Sequence, residues 1–324
     1  MKRFFWNEVH NRPRAFWRII IQMLVWNLSI LFLYAPIALA NRESLSFGAF
    51  LIHSPDWVRM VTLIVTVILM ARFVDRRRFT EYGLNIREKA WWQDLGIGLL
   101  LGALTMSLIF LALLALNWIE IVDTFYIPGR QIILITVSVS FLTSVAGAVY
   151  QTLWIWSYTL RNAAEGFIYL NRLNGRAAVI GALVMCLIYF VFIAADGVPE
   201  LTTVFASNIF RIGILLALPF ILTQRLGMSI GLIIGWSVFQ LNIYGLQAVG
   251  SLTENPSLLV VVEKGPEVWT GGNAGVGTGL MAMIALLLLS GIITAWSKRR
   301  TGKRLFDGSM AYYTPQVDSV SRVP

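Results

Sequence analysis

Eight apolar runs of roughly twenty residues punctuate this chain, at about 19–40, 57–74, 94–117, 131–160, 177–195, 203–223, 228–250 and 278–297. About twenty helical residues cross the hydrocarbon core of a bilayer. Inside lipid, each backbone N–H and C=O must be bonded within the protein, and a helix does this within a single segment. The runs therefore predict an all-α, polytopic transmembrane helix bundle of about eight helices. Composition points the same way: 57% of the residues are hydrophobic and only 13% charged, where a soluble domain carries about 25% charged residues. The mean hydropathy is +0.71. The fourth run is longer than one crossing requires, which predicts a tilt or a projecting end.

The basic residues assign sides to these runs. With the N-terminus inside, 21 of the 26 Lys and Arg fall on inner segments, in clusters such as Arg76-Arg77-Arg78 and Lys298-Arg299-Arg300. The outer segments receive Arg42, Arg59, Arg130 and Lys264, and Arg211 falls within a run. Acidic residues divide almost evenly, so the asymmetry belongs to Lys and Arg, as the positive-inside rule requires. Both termini are then cytoplasmic, and the number of crossings is even. The chain divides into a basic cytoplasmic arm (1–18), two N-terminal transmembrane helices (19–74), a membrane core (75–300) and a cytoplasmic tail expected to be disordered (301–324). Ala38-Leu39-Ala40 looks like a signal-peptidase site, but the preceding apolar run is too long for a signal peptide, and retention as the first helix is expected. The segment 251–277 reads as the one long outer loop.

Several chemistries are excluded. The net charge of +9 belongs to basic loops beside anionic lipid rather than to nucleic-acid binding. The single cysteine, Cys186, forms no intrachain disulfide and reads as a small apolar filler. The two histidines, His10 and His53, fall on opposite sides, so no run offers the converging ligands of a catalytic zinc. Serines in or beside the runs, such as Ser138 and Ser229, lack a His or Lys base within them and read as helix-packing residues. The exceptional intramembrane polar residues are Asn208 and Arg211, three apart and so on one helix face, with Gln151 and Asn242 as further polar candidates.

The order of segments resembles the CPBP intramembrane proteases, the family of the type II CAAX prenyl endopeptidases and bacteriocin-processing enzymes. The resemblance is carried by Asp75-Arg76-Arg77-Arg78 through Trp91-Trp92-Gln93-Asp94, by Tyr158 through Arg161-Asn162 to Glu165-Gly166, by Gly235-Trp236-Ser237, and by Gly265-Pro266-Glu267 with Thr270-Gly271-Gly272. It spans about residues 70–300. The family's first motif, EExxxR, falls on Gln151, Thr152 and Trp156. Its second, FxxxH, falls on Tyr189 and Ile193, and its third, HxxxN, on Ile233 and Ser237. None of these positions keeps the ligand, acid or base that the family uses. Glutamine is no general base, and isoleucine has no lone pair, so metal-assisted hydrolysis cannot run through them.

The resemblance thus implies a pseudoenzyme of the bacterial plasma membrane, with no catalytic residue, cofactor or metal. Its partners would be the lipid bilayer and another membrane protein or peptide held in an intramembrane cleft. Two other readings stay open: an active membrane endopeptidase of the same family using other residues, and a transporter built around Asn208 and Arg211.

Overall fold

The structure is a computed structural model describing residues 5–8, 10–40, 54–127, 133–171, 173–194, 210–246, 256–272, 275–302 and 307–313. It is mostly helical, and the apolar runs are helical over most of their described length. The long helices are α1 (Ala15–Ala40), α2 (Asp56–Leu69), α3 (Lys89–Ala115), α4 (Ile133–Gln151), α5 (Leu160–Asn171) and α6 (Gly175–Ala194). The short α7 (Leu218–Thr223) and α8 (Gly227–Ser237) follow, and α9 (Leu280–Thr301) closes the bundle. Among the described residues, five helical stretches are long and apolar enough to cross a membrane: Ala15–Leu39, Asp56–Asp75, Lys89–Ala115, Ile133–Tyr169 and Leu280–Arg300. Three shorter apolar helices, Gly175–Phe190, Phe210–Thr223 and Gly227–Ile243, complete the set. These helices suggest a membrane-embedded protein.

Several helices widen into π-helical stretches, at Met70–Asp75, Thr152–Thr159, Gly213–Ala217 and Val238–Ile243. The second joins α4 to α5 in one continuous helix. At 1.5 Å per residue, the distance from Ile133 to Glu165 is about 48 Å against a core of about 30 Å. The combined helix is therefore longer than one membrane thickness, which is why the fourth apolar run reads too long.

At the centre, α8 packs along α3 through glycines. A Cβ added to Gly98 or Gly102 would lie closer than 3.0 Å to the carbonyls of Met228 or Leu232, and one on Gly227, Gly231 or Gly235 would meet those of Trp91, Leu95 or Leu99 as closely. Both sets recur every four residues, so each forms a stripe on one helix face. Lipid supplies little hydrophobic drive for helices to associate, and close backbone approach through small residues replaces it. Asp94 pins one end of this seam: it is fully buried and pairs with Arg225 at 2.6 Å and Arg300 at 2.7 Å.

Two sequence expectations need correction. The bundle is not purely helical: Ile119–Tyr126 (β3) and Ser257–Glu263 (β4) pair antiparallel, within segments expected to be loops. The β-branched run Val260-Val261-Val262 and the alternation Ile119-Glu120-Ile121 carry the strand signal, which the dominant helical periodicity hides. The N-terminal arm is ordered over its described residues. It folds into a small hairpin, β1 (Trp6–Asn7) against β2 (Arg12–Pro13), with Arg12 buried. The tail is ordered over 307–313, where the turn Gly308–Ala311 buries Met310 and Ala311 against α5 and α6.

Replacing Gly231 by Leu should force α3 and α8 apart at a cost of about 3 kcal/mol. Gly96 faces open space on the same α3, so Gly96→Ala should be neutral or slightly stabilising. Thermal unfolding in detergent distinguishes the two.

Candidate functional site

The largest concentration of chemistry lies where α5, the loop after α2, the N-terminal hairpin and the tail meet. Glu165 sits here, 2% exposed, and three arginines converge on it. Its Oε1 lies 2.6 Å from Arg12 Nη2 and 2.8 Å from Arg18 Nη2, and its Oε2 is 2.5 Å from Arg77 Nη2. Asp75, buried next to this cluster, accepts from the Tyr82 hydroxyl at 2.6 Å and the Tyr158 hydroxyl at 3.3 Å, and pairs with Arg18 at 3.5 Å. Arg161 donates to the Glu81 carbonyl at 2.6 Å, and the Glu81 carboxylate takes Arg77 Nη1 at 3.0 Å. From the opposite end of the chain, the Tyr313 ring lies 3.4 Å from the Arg12 guanidinium and 5.0 Å from that of Arg77, and its hydroxyl donates to the Arg76 carbonyl at 3.0 Å.

The electrostatics follow from this crowding. Burial, reinforced by Arg18, lowers Arg12 to about 10 despite Glu165. Burial also works against the charge on Arg77, but Glu165, Tyr82 and Glu81 outweigh it and hold Arg77 above its ordinary value. Burial and then the Asp75 carboxylate raise the Tyr82 phenol well above its ordinary range, so it acts as a donor. The arrangement is a structural knot: each carboxylate is tied to cations or phenols, and no nucleophile–base pair appears in it. Glu165 is legible in retrospect as the sole acid between Asp123 and Asp196. His10 joins the rim of this cluster, with its Nε2 2.9 Å from the Tyr169 hydroxyl and its ring against Tyr313.

The motif-matched positions lie elsewhere. Gln151 ends α4, and Thr152 and Trp156 stand on the π stretch that follows. Thr152 is buried and donates its hydroxyl to the Ala148 carbonyl at 2.8 Å. Trp156 is fully buried. Ile233 and Ser237 are partly exposed on α8, which packs against α4. Ile193 belongs to α6, but its side chain lies outside the described residues, as does all of Asn208. The carboxylate near Gln151 is Asp56: a Cβ on Gly147 would be 3.1 Å from Asp56 Oδ2 and 3.9 Å from Gln151 Nε2. The other Asp56 oxygen pairs with Arg59 at 3.5 Å. Among the described residues, no three His, Cys, Asp or Glu side chains gather as a metal would require.

Arg211 occupies the opening turn of the described helix Phe210–Thr223. Its guanidinium packs against the turn Val276–Thr278, where a Cβ on Gly277 would come within 2.7 Å of Arg211 Nη1 and 3.7 Å of Gln240 Oε1. Gln240 in turn accepts from the Trp236 indole at 2.6 Å. Gln240 and Trp236 thus lie around the same turn as the Arg211 guanidinium.

At the end of the paired strands β3 and β4, Glu263 closes β4 with both carboxylate oxygens buried. The neighbouring Thr270 hydroxyl donates to the Pro266 carbonyl. Burial, only partly offset by Thr270, pushes the Glu263 carboxyl up to about 7.

No family model, curated protein or solved structure matches this chain. The class that fold and sites define is a helical, membrane-embedded protein with a buried arginine–carboxylate knot.

Glu165→Ala should leave three buried guanidiniums without their shared counter-charge, at a cost of about 3–5 kcal/mol, read as loss of folded protein on size-exclusion chromatography in detergent. For Glu263, a folded-state value raised above the ordinary one means the folded form favours the proton. Its stabilisation is complete below the ordinary carboxylate value and is lost as pH rises through about 7. Melting should therefore occur higher at pH 5 than at pH 8, and Glu263→Gln should flatten that difference.

Proposed function

We propose that this chain is a catalytically silent relative of the CPBP intramembrane proteases, acting as a binding or regulatory scaffold in the bacterial plasma membrane. It crosses the bilayer about eight times with both termini cytoplasmic, and holds another membrane protein or peptide where its relatives would cut one. The observation that carries this reading is the state of the first motif. The positions of the two glutamates and the arginine hold Gln151, Thr152 and Trp156, and the Thr152 hydroxyl is committed to its own helix. An amide and a spent hydroxyl offer neither a proton acceptor nor an activated water. The topology draws support from the contact of Arg12 with Tyr313, which brings the N-terminal and C-terminal segments to one end of the bundle. The pairing of β3 with β4 gathers two segments expected on the opposite face.

A second reading, an active endopeptidase with a different constellation, is favoured by one feature: the Asp56 carboxylate beside Gln151. The two readings separate in a cleavage assay. Purified protein should not cleave prenylated CAAX peptides or a helical membrane peptide above background, with or without added zinc. Cleavage well above background that Gln151→Ala or Asp56→Asn stops, while the protein stays folded, would establish the enzyme and remove the scaffold reading.

A further inference from the structure

A groove of about 620 Å³ lies between α3 and α9, beside the charged end of the α3–α8 seam, inside the range of about 300–1,000 Å³ typical of small-molecule sites. Gln93, Arg299 and Arg300 mark its charged end, and Gly96, Ile97, Leu100 and Trp296 line the rest. Its space exists in part because residue 96 is glycine: a Cβ there would meet no neighbouring atom within 4 Å. Along α3, Gln93, Ile97, Leu100 and then Leu104 follow one another on one helix face. Leu100 and Leu104 are both exposed. The groove is thus polar at one end and continues into an apolar track.

The charge balance at the polar end favours an anion. Asp94 gives one oxygen to Arg225 and the other to Arg300, so a single carboxylate serves two guanidiniums. Arg299 adds a third cation, exposed on the groove. No acid lines the groove among the described residues. The sequence from Lys298 to Phe306 also carries five Lys and Arg and no Asp or Glu. Arg300 is held in place, with Nη2 donating to Gln93 Oε1 at 2.5 Å and its guanidinium 5.0 Å from the Trp296 ring. An arginine only donates, so this contact fixes Oε1 as the acceptor and leaves the Gln93 amide nitrogen to donate to a ligand.

We propose that this groove binds an anionic phospholipid, its phosphate received by Arg299 and the Gln93 amide and one acyl chain laid along Ile97, Leu100 and Leu104. A guanidinium meets phosphate oxygens through two N–H donors at once, and Arg300 adds charge while its own donors hold Asp94 and Gln93. Indole rings settle at the headgroup level of a bilayer, which sets Trp296 where phosphate gives way to chain. Basic pockets between transmembrane helices receive such headgroups in general. A free phosphate would leave the apolar track bare, and a choline headgroup would add a cation where cations already outnumber acids. The site rests on the membrane setting that the apolar helices suggest, and is independent of whether the motif-matched positions are silent.

The test is lipid binding to the full-length chain in mild detergent, read by native mass spectrometry with dioleoylphosphatidylglycerol and dioleoylphosphatidylcholine. The phosphatidylglycerol should bind about tenfold tighter, and Arg299→Gln should weaken it about fivefold, the contribution of one interfacial cation. Arg87→Gln removes another exposed arginine, near the start of α3 but outside the groove, and should leave the affinity unchanged. Neither replacement disturbs packing, since both arginines are exposed. Gly96→Leu, which fills the groove from a position with no neighbour to clash with, should erase the preference for phosphatidylglycerol. Millimolar inorganic phosphate should not displace the lipid. Equal binding of the two lipids would overturn the proposal, as would an equal loss in Arg87→Gln and Arg299→Gln, which would mean diffuse surface charge. Displacement by inorganic phosphate would also overturn it, in favour of a free-anion site.

Discussion

Glu165 is the counter-charge against which three guanidinium groups are buried. An isolated charge taken out of water is heavily penalised, and a buried pair recovers that only with good geometry and further hydrogen bonds. The ion-pair contacts from Arg12, Arg18 and Arg77 fall between 2.5 and 2.8 Å, and Arg12 and Arg77 add hydrogen bonds to the Asp75 carbonyl and the Glu81 carboxylate, while the buried Nε of each of the three makes none. Because these arginines come from the N-terminal hairpin, the first turns of α1 and the loop after α2, one carboxylate on α5 fixes three distant segments at once. Asp75 extends the arrangement to Tyr82 and Tyr158. The carbonyl of Gly83 then takes the backbone N–H of Leu226 and the indole of Trp91, which passes the order on to α8 and α3.

The α3–α8 seam answers a different constraint. Helices in lipid gain little from burying leucine against leucine, so their association depends on how closely the backbones approach. Glycine every fourth residue on both partners makes that approach possible, and the Asp94 pairs with Arg225 and Arg300 set where along the helices it occurs. The seam is apolar along its length and charged at one end, so packing supplies the contact and electrostatics supply the register.

The π-helical stretches deliver the unusual side chains of the bundle. Met70–Asp75 presents Asp75 to the arginine cluster, Thr152–Thr159 carries Thr152, Trp156 and Tyr158, and Val238–Ile243 carries Asn242. π-bulges are rare and recur at functional sites. In this chain three of the four described stretches carry, in turn, Asp75 of the structural knot, the buried Thr152, Trp156 and Tyr158, and Asn242. The chemistry differs at the three: Asp75 is held by two phenols and one arginine, Thr152 spends its hydroxyl on its own helix, and Asn242 leaves its Oδ1 unbonded.

The eight apolar runs and the rarity of charge were enough to determine a helical bundle suited to a membrane, because the cost of unbonded backbone in lipid leaves few other folds. That Gln151, Thr152, Trp156, Ile233 and Ser237 carry neither a carboxylate nor an imidazole is likewise a fact of the sequence, since side-chain chemistry does not depend on folding. The glycine stripes on α3 and α8 and the lone acid Glu165 stand in the sequence too, but their meaning does not. A glycine or a glutamate acquires a role only from what approaches it, and the partners of Glu165 lie as far away as residue 12. The pairing of β3 with β4, the ordered turn at Met310 and the capture of Tyr313 over Arg12 arise from long-range contacts that no local periodicity encodes. The groove between α3 and α9 belongs to tertiary structure alone, because a void exists only where elements meet and fail to fill the space between them.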